Sequence, residues 1–208
     1  MGSYGFLAHI HPPRLDPERT RFTHTFCLGG LALVLFLVLG VTGVVLMFSY
    51  VPTAEGAARF FAAEAGDLPF AWYLRRLHFL AGQAMVVVLV LHMIRVIISG
   101  AYLPPRAANW LVGLGLMLLV LALDFSGYLL RWDQAMRSAA AVAANLIGQV
   151  PLVGGLLKRL LLGGEAVGEA GLLRMYVLHC LGLPVMTLVL TMYHFWRIRK
   201  DGRPLGGL

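Results

Sequence analysis

Histidines at positions 78, 92, 179 and 194 lie within apolar stretches, 14 residues apart in one and 15 in the other, and few folds satisfy that pattern. An α-helix turns about 100° and rises about 1.5 Å per residue, so 14 steps end about 40° short of four turns and 15 steps about 60° beyond. Each pair therefore faces roughly one way along its helix. The members of a pair differ in height by about 21 to 22.5 Å. Two such helices side by side present two His–His couples, one near each edge of a hydrocarbon layer about 30 Å thick. A neutral imidazole on each side is what a bis-histidine heme iron requires, so the spacing points to two stacked hemes, one per couple.

Composition agrees with a membrane setting. The 208 residues are 59% hydrophobic and 13% charged, too apolar for an ordinary soluble domain. Four stretches are long enough to span a bilayer: 27–48, 77–98, 110–130 and 177–196. The expected fold is an all-α integral membrane four-helix bundle over residues 1–208, with the hemes between the second and fourth spans. The segment 139–162 is apolar enough to suggest a fifth span, but Gly148, Pro151, Gly154 and Gly155 cut it into pieces too short to cross. It reads as a helical hairpin on the outer surface. An amphipathic piece around Glu55 to Glu64 is expected in the outer loop 49–76.

The first 25 residues carry Arg14, Arg19 and Arg21 with no apolar core, so no cleavable signal is expected and both termini are assigned to the cytoplasm. The positive-inside bias is small. Arg14, Arg19, Arg21, Arg95, Arg106, Arg197, Arg199, Lys200 and Arg203 fall on the proposed inner side, and the remainder of the 17 Lys and Arg fall outside. A net charge of +7 does not imply nucleic acid, because the basic residues are scattered at helix ends rather than gathered on one face. Cys27 and Cys180 fall on opposite membrane faces in this topology and give no disulfide framework.

Ionisable side chains inside spans are costly and usually functional. The four histidines qualify, whereas His9, His11 and His24 read as polar interfacial residues. Gly29 and Gly43 in the first span, and Gly113 and Gly127 in the third, repeat the interval of 14. A glycine lets a flat macrocycle approach a helix backbone that any Cβ would hold away. Arg75 and Arg174 precede His78 and His179 near the outer edge, where a guanidinium can grip a heme propionate or simply snorkel to the interface. Asp124 in the third span reads either as a proton-handling group or as the partner of a nearby arginine.

From about Cys27 onward the chain resembles the cytochrome b6 family, the four-helix equivalent of the N-terminal half of cytochrome b. The marks are Cys27-Leu28-Gly29-Gly30, Arg75-x-x-His78, Asn109-Trp110 leading to Gly113, Gly127-Tyr128 with Trp132-Asp133-Gln134, Arg174-x-Tyr176-x-x-His179 with Pro184, and His194-Phe195 with Ile198-Arg199-Lys200-x-Gly202. The interval of 15 is the b6-type spacing. The resemblance implies that His78 and His179 ligate the iron of an outer heme b, and His92 and His194 that of an inner one. It also implies that Cys27 holds a third, c-type heme by one thioether. One departure is Arg131 where the family usually has proline, beside the segment that borders its quinol-oxidation site.

The implied function is that of a diheme subunit of a quinol:cytochrome c oxidoreductase, or of one with a similar acceptor. It would carry electrons between quinol-oxidising and quinone-reducing sites and would not be active alone. The implied partners are a Rieske iron–sulfur protein, a second membrane subunit with the rest of cytochrome b, a c-type cytochrome and quinol/quinone, in a homodimeric complex. The membrane would be a bacterial inner membrane or a thylakoid-like one. The rival is a diheme membrane anchor of a hydrogenase or dehydrogenase, against which Trp132-Asp133-Gln134 and Cys27 argue. No residue is singled out as catalytic.

Overall fold

The computed structural model describes residues 27–62, 69–164 and 166–201, so His9, His11 and His24 lie outside it. Its elements are all helical: α1 (Leu28–Met47), α2 (Ala54–Ala62), α3 (Pro69–Ile98), α4 (Ala107–Leu129), α5 (Gln134–Gly148), α6 (Gly154–Leu162), α7 (Glu169–Val177), a π-helical turn (Leu178–Gly182) and α8 (Leu183–Lys200). Four helical stretches are long and apolar enough to cross a membrane: Leu28–Met47, Phe70–Ile98, Ala107–Leu129 and Glu169–Lys200. Only 11–17% of each spanning window is buried within the protein, so most of its apolar surface faces outward, as lipid contact requires. The molecule is a helical membrane bundle.

Two of these helices reach further than composition suggested. The second begins at Pro69 rather than 77, because proline suits a first helical turn and nothing between it and Leu77 breaks the helix. The fourth is helical from Glu169 rather than 177, through α7, the π turn and α8.

Within the bundle α1 packs along α3, and α8 along α4. Ala32 of α1, Met85 of α3 and Val120 of α4 form a buried cluster against which Leu35, Phe36 and Leu89 pack. One end of the bundle carries a cap of shorter helices. Here Tyr50, Ala57, Phe60, Leu130, Trp132 and Leu172 form a second buried cluster. The Tyr50 hydroxyl donates to the Leu130 carbonyl at 2.7 Å, and its ring stacks on Tyr176 at 5.5 Å while meeting Phe60 edge-on at 5.4 Å.

Helices α5 and α6 fold back on each other at the same end. Asp133 caps α5 by accepting from the Met136 amide at 2.9 Å, and it pairs with the exposed Arg131 at 3.2 Å. At the bend a Cβ on Gly154 would stand 2.5 Å from the Gly148 carbonyl oxygen. Only glycine lets the two helices approach that closely.

Candidate functional site

The π turn settles the disparity between the two histidine intervals. A π turn accommodates one residue more than the α-helical turn it replaces, and this one, at Leu178–Gly182, contains His179. Of the 15 steps from His179 to His194, one is taken up there. The rotation about 60° past alignment that a regular helix would give is thereby avoided.

At the capped end His78 on α3 and His179 face each other with ring centroids 6.3 Å apart and planes inclined by 69°. Two imidazoles bonded at about 2 Å on opposite sides of one metal place their centres about 6 Å apart. Both rings are oriented by hydroxyls. Thr42 Oγ1 on α1 lies 2.8 Å from His78 Nδ1 and donates to the Val38 carbonyl at 2.7 Å. Ser126 Oγ on α4 lies 3.0 Å from His179 Nδ1 and donates to the Leu123 carbonyl at 3.0 Å. Since each hydroxyl proton is committed to its own helix, the oxygen accepts from Nδ1–H. That fixes the neutral tautomer in which Nε2 carries the lone pair a metal takes.

Each glycine of the repeated interval stands against one histidine ring. A Cβ built on Gly127 would lie 2.9 Å from His179 Cε1, on Gly43 3.2 Å from His78 Cε1, on Gly29 3.5 Å from His92 Cε1 and on Gly113 3.6 Å from His194 Cε1. The α1 glycines therefore serve the α3 histidines, and the α4 glycines serve His179 and His194.

At the other end His92 and His194 line a cavity of about 730 Å³, counting its opening, together with Gly29, Gly113, Thr187 and Thr191. Its wall is almost wholly apolar apart from the two imidazoles and these hydroxyls. His194 Nδ1 is buried without a hydrogen-bond partner, although the Asn109 backbone carbonyl bears on the ring without good geometry. An apolar slot with two imidazoles in its wall fits a bis-histidine heme, as the capped-end couple does.

The arginines are engaged with backbone carbonyls of the cap. Arg75 Nη1 donates to the Phe60 carbonyl, and its guanidinium lies 5.4 Å from the Phe60 ring centroid. Arg174 Nη1 donates to the carbonyls of Leu160 and, at 3.1 Å, Arg159. Cys27 is exposed at the start of α1 in a left-handed conformation, φ 53°, two residues before Gly29. For Asp124 the structure shows a partner that neither sequence reading named: Gln83 Nε2 donates to Asp124 Oδ1 at 3.1 Å. An amide suits this depth better than a second charge, which would have to be desolvated as well.

Thr42, Ser126 and Gln83 were not singled out from sequence. The available signal was adjacency, for Thr42 and Ser126 each immediately precede a glycine of the repeat. A further cavity of about 730 Å³, counting its opening, lies under the cap among Ala122, Ser126, Leu129, Trp132, Ala144 and Met175.

The family model described as cytochrome b/b6/petB matches residues 16–202. The chain is 36% identical over 177 residues to a cytochrome b6 of Prochlorococcus marinus (strain MIT 9303), covering 85% of this chain and 81% of that protein. It is 39% identical over 177 residues to a cytochrome b6 of Heliomicrobium gestii, covering 85% and 83%. Among solved structures it is similar to a chain of a hyperthermophilic respiratory Complex III, with a TM-score of 0.76 and 28% identity over 86% of this chain. That match takes in 48% of the other chain, so this protein spans about half its length.

Proposed function

The chain belongs to the cytochrome b/b6 family, and on that premise we propose that it is the diheme electron-transfer subunit of a quinol oxidoreductase complex. His78 and His179 hold one heme b at the capped, outer side of the membrane, and His92 and His194 hold a second toward the inner side. The observation that carries this reading is the facing pair His78 and His179, 6.3 Å apart with both Nδ1 atoms met by hydroxyls. When bound, the two hemes supply one-electron carriers at two depths of the bilayer. The protein's own residues orient the ligands, present Nε2 lone pairs and keep water from the path with an apolar lining.

The cavity beneath the cap supports a quinol-binding role on the outer side. It is apolar, as a quinone ring and tail require, and Ser126 in its wall also holds His179. Oxidation of quinol there would need an iron–sulfur protein to take one electron, and a second membrane subunit to complete the cytochrome b framework. A c-type cytochrome acceptor, a homodimeric assembly and cytoplasmic termini belong to the same reading. Cys27 is the attachment point for a third heme, its thiol exposed at the start of α1 two residues before Gly29 in the wall of the His92–His194 cavity.

The test is a pyridine hemochrome assay on the purified complex, with the co-purifying proteins identified. Two b hemes per chain are expected, falling to one in His92→Leu, with an iron–sulfur subunit present. Unchanged b-heme content in His92→Leu would show the ligand assignment wrong.

A further inference from the structure

The two couples share the contact of imidazole on glycine but differ in what meets Nδ1. At the capped end the residue before each glycine is a hydroxyl amino acid, Thr42 before Gly43 and Ser126 before Gly127, and each hydroxyl reaches the ring nitrogen, at 2.8 and 3.0 Å. Fourteen residues earlier in each helix the equivalent positions are Leu28 before Gly29 and Val112 before Gly113. Neither side chain can accept a hydrogen bond, so no hydroxyl meets His194 Nδ1, which has only the Asn109 backbone carbonyl beside it, whereas His179 has Ser126 in addition to the Leu123 carbonyl.

We propose that Thr42 and Ser126 are positioning residues that lower the reduction potential at the His78–His179 couple relative to the His92–His194 couple. This rests on the reading of the four histidines as heme ligands. A hydroxyl that accepts from Nδ1–H moves electron density onto Nε2 and makes the imidazole the more basic ligand. A more basic ligand favours the ferric iron, which carries the extra positive charge, over the ferrous iron formed when quinol or dithionite donates one electron. No proton is released in that change, because Nδ1–H keeps its acceptor in both states. Both hydroxyls are in turn anchored to carbonyls of their own helices, at 2.7 and 3.0 Å. The acceptors cannot swing away without breaking a second hydrogen bond.

The experiment is an optical redox titration of the membrane complex, comparing the unmodified protein with Thr42→Val, Thr42→Ser and Ser126→Ala. His92→Leu identifies which spectral component belongs to which couple. The capped-end component is expected to move to higher potential in Thr42→Val and in Ser126→Ala while the other stays fixed, and Thr42→Ser is expected to restore it. Equal movement of both components, or none, overturns the proposal. So does loss of the capped-end component from both variants with the other retained, since the hydroxyls would then be needed to hold the group rather than to set its potential. An unmodified complex without two b components overturns the ligand reading itself, which separates that failure from this one.

Discussion

The imidazoles of His78 and His179 stand 6.3 Å apart with their planes crossed at 69°. They are too distant to touch and close enough to share one metal. Each ring is backed by a glycine, with no room for a methyl group at Gly127 and a tight fit for one at Gly43.

Gly127→Ala is therefore expected to be the most damaging of the four glycine substitutions. Its Cβ would meet His179 Cε1 at 2.9 Å, whereas on Gly113 the corresponding gap to His194 is 3.6 Å. Overpacking of this kind costs about 1–3 kcal/mol. Reduced-minus-oxidised difference spectra should show Gly127→Ala losing or broadening one b component and Gly113→Ala keeping both. Equal tolerance of the two would contradict the contact.

Tyr50→Phe should lower thermal stability by about 1–3 kcal/mol, the cost of leaving the buried Leu130 carbonyl without its donor. Burial, followed by the neighbouring Cys180 and Tyr176, pushes the Tyr50 phenol well above the usual tyrosine value. A phenol whose ionisation is suppressed by folding stabilises the protein below about pH 10, its unfolded value. That contribution is lost as the pH rises toward its folded value. Melting followed against pH should show an alkaline loss that is smaller in Tyr50→Phe. An identical alkaline limb in both proteins would count against it.

Asp124 and Gln83 join α4 to α3 by one hydrogen bond at 3.1 Å. Such bonds within membranes contribute about 0.6 kcal/mol on average and at most about 1.7. A double-mutant cycle with Asp124→Leu and Gln83→Leu should return a coupling in that range, and Asp124→Asn should cost less than Asp124→Leu. Strictly additive effects would mean that the two side chains act independently.

Cys27 offers an exposed thiol at the start of α1. Denaturing electrophoresis with heme staining should give a band on this chain that disappears in Cys27→Ser. Absence of staining in the unmodified protein would mean that the thiol carries no heme.

Much of this was legible in the sequence, because the relevant periodicities are long and strict. Four apolar runs gave four spanning helices, and the 14-residue glycine interval, read from sequence as room for a flat macrocycle, marks positions that in the structure stand against the histidine rings. On a regular helix the interval of 15 ends about 60° past alignment. The π turn at Leu178–Gly182 that absorbs the difference stands just before Pro184, which has no N–H for the Cys180 carbonyl, a signal that marks a break in the ladder without specifying a π turn. The hydroxyls were hidden for another reason. Threonine and serine inside a membrane helix usually bond to their own backbone, as Thr42 does to Val38, and nothing local says that the oxygen also serves a neighbouring helix. Gln83 was obscured because charge pairing suggested arginine for Asp124, whereas at that depth a neutral donor is the cheaper partner.

The most deeply buried side chains, Ala57 and Leu172 at 0% exposure, belong to the cap rather than to the middle of the bundle. Between spanning helices, burial replaces lipid by protein and gains little from the hydrophobic effect. In the cap, burial removes surface from water and so carries the heat-capacity change that makes stability depend on temperature. Hydrophobic stabilisation weakens on cooling. The covering over the His78–His179 end should therefore loosen in the cold before the spans do, and the protein's calorimetric signature should be that of its extramembrane helices rather than of its length.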